Sequence, residues 1–178
     1  MTGERRQALL VLRSQAGDQE AFSELLSSIQ EPLFGYLRRL TGDAELAKDI
    51  LQEVFLLIWR KLRWLRQPEL FRPWCYRIAS RAAFRLLRRE QRWSKRDDVP
   101  PPERSELPQE ASSDLLTHLP ELLDRVSPAS RAVLVLHYLQ EMSLQEVADI
   151  LGLSLGTAKS RLAYGLATLR KNIQPLIS

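Results

Sequence analysis

The chain offers few groups for covalent chemistry. It has one cysteine, Cys75, and two histidines, His118 and His137, which lie far apart and without metal-ligand spacing. A single thiol excludes an internal disulfide framework, and Cys75 reads as a small buried hydrophobe. There is no glycine-rich phosphate loop, no nucleophile elbow and no clustering of carboxylates suited to a two-metal site. The residues that could do chemistry are of another kind. Residues 59–96 hold 13 Lys/Arg against Glu69 and Glu90, and all four tryptophans, Trp59, Trp64, Trp74 and Trp93, fall inside that segment with Phe71, Tyr76 and Phe84 between them. Cations track a phosphate backbone while aromatic faces stack on unpaired bases, so this mixture suits melted or single-stranded nucleic acid better than intact duplex. Arg81, Arg85, Arg88, Arg89 and Arg92 recur at helical spacing and gather on one side of a helix. Trp59 and Trp74 lie on apolar stripes and are expected in the core; Trp64, before Pro68, is expected to be exposed.

A second basic region lies at the far end. Residues 155–178 carry Lys159, Arg161, Arg170 and Lys171 with no acid, and between the two basic regions residues 97–111 carry five acids against Arg104. Two cationic regions separated by an acidic one point to two contacts with a polyanion, even though the net charge is only +4.

The elements that must position these groups are helical throughout, since apolar residues recur at helical spacing almost everywhere. Helices are expected at about 4–15, 18–41, 43–65 and 68–94, then at 113–126, 128–140, 143–151 and 155–173. The stretch Val99-Pro100-Pro101-Pro102 through Ser112-Ser113 reads as a flexible acidic linker over 97–112. The fold class is therefore all-α, with one small helical domain over 1–96 and a second over 113–178. Asp18 caps the second helix, Thr41-Gly42-Asp43 ends it and starts the third, and Ser127-Pro128 opens the sixth. In the third helix Ala47, Ile50, Leu51, Val54, Ile58 and Leu62 face inward. Asp49, Gln52, Glu53 and Leu56 form another side, which suits either a protein-docking surface or an ordinary solvated face.

The strongest local pattern runs from Ser143 to Arg170. Ser143-Leu144-Gln145-Glu146 is a capping box, and Val147, Ala148 and Leu151 face inward. Gly152 supplies a left-handed turn, Leu153 plugs the corner and Ser154 caps a helix that buries Ala158, Leu162, Leu166, Leu169 and Ile173. This is a helix-turn-helix whose outer face presents Thr157, Lys159, Ser160, Arg161, Ala163 and Tyr164, groups suited to phosphates and major-groove edges. Gly165 sits in the interior of that helix as a site of close packing or of slight weakening.

Taken together and in order, these segments resemble the extracytoplasmic-function sigma factors of bacterial RNA polymerase across essentially the whole chain. Gly17-Asp18-Gln19-Glu20-Ala21-Phe22 with Leu25, and Asp49-Ile50-Leu51-Gln52-Glu53-Val54-Phe55 with Trp59, are similar to the start of that family's second region. Phe71-Arg72-Pro73-Trp74-Cys75-Tyr76-Arg77-Ile78-Ala79 is similar to its promoter-melting part. Leu119-Pro120, Ser127 to Val133 and Ser143 to Arg170 are similar to its fourth region. The resemblance implies a factor without catalytic residues or cofactor that binds core RNA polymerase and promoter DNA, both duplex and melted non-template strand. Asp49, Gln52, Glu53 and Leu56 would dock on the polymerase. Arg63, Trp64, Arg66, Arg77, Arg81, Arg85, Arg88 and Arg89 would hold the minus-ten element. Ser154, Gly156, Thr157, Lys159, Ser160, Arg161 and Tyr164 would read the minus-thirty-five element. An anti-sigma partner is implied as well. Three positions depart from the family pattern: Lys48 replaces a common acid, Arg81 and Arg85 stand where Asn and Asp are frequent, and Ala158 and Ala163 thin the recognition helix. A stand-alone duplex-binding regulator and a sigma mimic that only sequesters an anti-sigma factor are the competing readings. With no apolar run near membrane-spanning length, and Ala8-Leu9-Leu10-Val11-Leu12 too short for a signal core, the chain is expected in the cytoplasm with no membrane contact of its own.

Overall fold

The computed structural model of the chain describes residues 3–91 and 119–173. The expected linker at 97–112, the expected helical residues 113–118, and Arg92, Trp93 and His118 lie outside the described residues. Among the described residues every regular element is helical, and they form two units. The first holds α1 (Gly3–Gln15), α2 (Gln19–Thr41), α3 (Ala44–Lys61) and α4 (Phe71–Gln91). The second holds α5 (Leu119–Asp124), α6 (Pro128–Leu134), α7 (Leu144–Leu151) and α8 (Leu155–Ile173). No helix among the described residues is long and apolar enough to cross a membrane.

In the first unit α2 is the central post. Ala21, Leu25, Ile29, Leu33, Tyr36, Leu37 and Leu40 are buried along it, meeting Ala47, Ile50, Leu51, Val54 and Ile58 of α3. Each such fully buried Leu or Ile contributes about 1.5–3 kcal/mol. Asp18 caps α2 by accepting from the Ala21 amide at 2.9 Å, and Gly42, with φ 73°, ends it. Asp43 starts α3 by accepting from the Glu45 and Leu46 amides at 2.8 and 3.1 Å.

Several boundaries differ from expectation. The third helix stops at Lys61, and Leu62–Trp64 forms a separate 3₁₀ turn. Pro68 opens another 3₁₀ turn, Pro68–Leu70, and α4 begins only at Phe71. The connection is thus a shaped loop rather than frayed helix. Ser127 precedes α6 without a side-chain capping bond, leaving Pro128 as the starting signal. The expected helix over 128–140 is α6 followed by a π turn, Val135–Leu139, with the Gln140 amide bonded to the Val135 carbonyl at 3.1 Å.

Trp59 is the clearest correction. It was expected in the core but is 58% exposed, and its ring meets Phe22 edge-on at 4.8 Å between ring centroids. Ile58 takes the inward position, and its helical neighbour must then point roughly 100° away. Trp74 is half-buried. Leu162, Leu166, Leu169 and Ile173 are half-buried rather than buried, and Leu166 and Leu169 line an open apolar groove with Leu119, Leu123, Leu134 and Tyr138. Gly165 is buried, and a Cβ there would meet Leu134 Cδ1 at 2.7 Å, so close packing of α6 on α8 explains it.

The two units touch. Arg131 of α6 is 6% exposed, and its guanidinium donates to the carbonyls of Asp124 and Val126 in its own unit. It also reaches the carbonyls of Arg39 and Leu40 at 3.3 and 3.2 Å, in the last turn of α2. Carbonyls there have no intrahelical partner, so Arg131 acts as a C-terminal cap supplied by the other unit. A second cluster joins α4 to the end of the π turn: Arg72 donates to the Gln140 carbonyl at 2.9 Å, and the Tyr76 hydroxyl donates to Gln140 Oε1. Burial pushes the Tyr76 phenol up to about 12.

Candidate nucleic-acid and polymerase interfaces

On α3, Asp49 and Gln52 are exposed on the side opposite the core, and Leu56 is 59% exposed one turn further on. Trp59, at i+3 from Leu56, continues the same apolar strip, a residue the periodicity argument had placed inside. The surface therefore combines a carboxylate, an amide, a leucine and a tryptophan, the composition of a protein-docking patch with an aromatic anchor. Glu53 is only partly available, since its carboxylate is paired with Arg85 of α4. That pair ties a residue expected at the docking face to one expected at the DNA face.

Six of the eight residues expected to hold the minus-ten element, all but Arg63 and Arg77, line two clefts. One lies beside the α3–α4 loop, with a volume of about 550 Å³, and is lined by Lys61, Trp64, Leu65, Arg66, Gln67, Leu70 and Trp74. Trp64 is 69% exposed, and the Arg63 guanidinium lies 4.7 Å from its ring centroid. This cation–π contact keeps one cation on the aromatic face. The other cleft is lined by Arg81, Arg85, Leu86, Arg88 and Arg89 of α4, with Arg81, Arg85, Arg88 and Arg89 exposed. Arg77 lies on α4 between the loop and that arginine group in sequence; it is half-buried, and its Nε has no hydrogen-bond partner among the described residues. The loop cleft thus mixes tryptophans with cations, while the helix cleft is lined by arginines with Leu86. Cys75 is fully buried and burial raises its thiol pKa well above the ordinary value, which makes it unreactive.

The second unit contains the helix-turn-helix. Ser143 and Glu146 form the reciprocal capping box of α7. Gly152, at φ 67°, ends it, and the Leu153 amide returns to the Ala148 carbonyl at 2.9 Å. Ser154 Oγ accepts from the Thr157 amide at 3.1 Å and starts α8. Ala158 is buried against the turn, while Ser154, Gly156, Thr157, Lys159 and Ser160 are exposed on one end of α8. Arg161 and Tyr164 are half-buried. The Ser154 and Thr157 hydroxyls pair with each other at 2.8 Å, and Ser160 donates to the Gly156 carbonyl. The exposed end therefore combines a cation, small hydroxyls and the amide end of a helix, a set that fits phosphate and base-edge contacts.

Known proteins carry the same two units in the same order. The pattern described as "Sigma-70 region 2" matches residues 19–93, and "Sigma-70, region 4" matches residues 122–171. The RNA polymerase sigma factor CarQ of Myxococcus xanthus is 30% identical over 162 residues, covering 89% of this chain and 92% of that protein. The ECF RNA polymerase sigma factor SigW of Bacillus subtilis is 28% identical over 173 residues, covering 90% and 92%. In fold, the chain is similar to the sigma factor RpoE of Bartonella quintana, solved in complex with the anti-sigma factor NepR, with a TM-score of 0.69 over 86% of this chain and 96% of that one at 21% identity. With both family regions matched and a relative of that similarity aligned nearly end to end, the chain belongs to the sigma-70 family as an extracytoplasmic-function RNA polymerase sigma factor.

Proposed function

We infer that the chain binds core RNA polymerase, directs it to particular promoters and helps open them, as an initiation factor and not as an enzyme. The observation that carries this is the pairing of one unit bearing an aromatic and arginine-lined surface with a second bearing a helix-turn-helix, in the order of the two sigma-70 regions. A duplex-binding regulator needs only the second unit; the exposed Trp64 and the arginines of α4 are superfluous to it.

In this reading Asp49, Gln52 and Leu56 dock on the polymerase, with Trp59 added to the surface and Glu53 contributing once its pair with Arg85 loosens. Arg63, Trp64, Arg66 and Arg77 hold bases and backbone of the melted minus-ten strand. Arg81, Arg85, Arg88 and Arg89 neutralise phosphates beside them. Ser154, Gly156, Thr157, Lys159, Ser160, Arg161 and Tyr164 read the minus-thirty-five duplex. In this reading the domains span about 1–96 and 113–178, a division supported by family regions matched within each, at 19–93 and 122–171. The chain works in the cytoplasm beside the polymerase, and an anti-sigma factor holds it inactive, a role supported by the fold it shares with a sigma factor solved with such a partner.

Run-off transcription with core polymerase on host genomic fragments tests the function. Chain-dependent starts that share two upstream elements are expected. Polymerase binding without any chain-dependent start would favour the mimic, and no binding at all would overturn the reading.

A further inference from the structure

The loop that carries Trp64 is held from outside by one side chain, Gln15, the last residue of α1. Its Nε2 donates to the carbonyl of Leu62 and to the carbonyl of Leu65, both at 2.9 Å. A primary amide has two N–H donors, so both are committed to residues 47 and 50 positions away in the chain. The two carbonyls flank the 3₁₀ turn that exposes Arg63 and Trp64. Leu62 is buried and Leu65 half-buried, so these two side chains anchor the turn from below while Gln15 fixes its backbone from the side. Trp64 then stands at the rim of the cleft it shares with Arg66, Leu70 and Trp74.

The turn has one backbone bond across it, from the Leu65 amide to the Leu62 carbonyl at 3.0 Å, and a loop so lightly held samples several conformations whose ordering costs entropy when a ligand selects one. Two side-chain bonds at the two ends of a three-residue turn remove much of that freedom before any ligand arrives. We propose that Gln15 is a positioning residue for recognition of the melted minus-ten strand: it touches no DNA, and it sets the orientation in which Trp64 meets an unpaired base. This rests on the assignment of the Trp64 loop to minus-ten DNA.

The test uses the full chain bound to core polymerase. The probes are a fluorescent single-stranded oligonucleotide with the non-template minus-ten sequence of a promoter identified by run-off transcription, the same oligonucleotide with one base changed, and a duplex carrying only the upstream element. Gln15→Met keeps the length and loses both donors; Gln15→Glu keeps the shape and sets a carboxylate against two carbonyls. For each variant the single-strand affinity is expected to fall roughly tenfold, the worth of two modest hydrogen bonds. Discrimination against the changed base is expected to narrow, with upstream-duplex and polymerase affinities unchanged. A purely structural role would instead weaken all three affinities together and lower the melting temperature, and that result overturns the proposal. Trp64→Ala separates the two ideas. If Trp64→Ala weakens single-strand binding and the Gln15 variants do not, the clamp is wrong and the loop assignment stands. If Trp64→Ala has no effect, the loop assignment fails and the proposal with it.

Discussion

Replacing Arg131 by methionine should cost more than any surface change in this protein. The guanidinium serves four carbonyls, those of Asp124, Val126, Arg39 and Leu40, and lies 3.1 Å from the Asp124 carboxylate. A hydrogen bond from a charged donor contributes about 1.5–3 kcal/mol by itself, but five of them cannot be added, since they share one cation and water replaces part of what is lost. The Asp124 carboxylate is half-exposed, so the loss is that of buried carbonyls left unpaired, about 1–3 kcal/mol each and not additive, and about 3 kcal/mol in all is expected for Arg131→Met. Lysine keeps the charge but presents a compact ammonium in place of a planar fork, so Arg131→Lys should lose about 2 kcal/mol. Urea unfolding of the full chain, followed by far-UV circular dichroism, measures both. The midpoint should fall in the order parent, Lys, Met, with little change in slope. A domain's whole stability is only about 5–15 kcal/mol, so the Met variant should be visibly marginal. If Arg131→Met stays within about 1 kcal/mol of the parent, water serves those carbonyls as well as the guanidinium does, and the account of Arg131 as a shared cap is wrong.

The remaining predictions concern other parts of the molecule. Asp49→Ala with Gln52→Ala should weaken binding to core polymerase and leave the melting temperature unchanged, because both side chains are exposed; unchanged polymerase binding would move the docking face elsewhere. Gly165→Ala gains about 1 kcal/mol of helix propensity but overpacks against Leu134 at a cost of about 1–3 kcal/mol, so thermal unfolding should register a net loss that Leu134→Val partly reverses. Arg161→Ala should reduce the slope of log affinity against log salt for upstream duplex by about 1, and an unchanged slope would remove Arg161 from the phosphate contacts. The Ala21 amide and then Arg13 hold the Asp18 carboxyl below its ordinary value of 3.8. A lowered folded pKa stabilises above the unfolded value and is lost as pH falls through the folded one, so the advantage of the parent over Asp18→Asn should be full near neutrality and fade below about pH 4.

What the sequence made legible is what local chemistry encodes. The Ser143–Glu146 box, Gly152 and Ser154 each act within a few residues, and the helix-turn-helix stands where they put it. The inward face of α3 followed from periodicity, residue for residue, as far as Ile58. Trp59 was misplaced because a hydrophobic side chain beside an apolar stripe looks like part of it; the adjacent pair Ile50 and Leu51 does share the buried face, whereas of Ile58 and Trp59 only Ile58 does. The contacts between units were out of reach for a different reason. Arg72, Tyr76, Arg131 and Gln140 are polar, and their partners lie 68, 64 and more than 90 residues away, so they leave no periodic trace. The same holds for Gln15 and for the pair of Glu53 with Arg85, which only the folded geometry brings together.

The joint between the units sets a mechanical condition on promoter use. A compact chain of this length has a radius of gyration of about 16 Å. Elements some twenty-five base pairs apart are separated by about 85 Å of duplex, at about 3.4 Å per pair. On the proposed assignment of the two surfaces to two such elements, a template that engages both at once must prise Arg131 from the end of α2 and Gln140 from Tyr76. Part of the free energy of contacting DNA and polymerase is spent as work against that joint. The tightness of this joint, polar contacts set on a continuous apolar core, then acts as a load on initiation far from any base, and loosening it should favour weak promoters over strong ones.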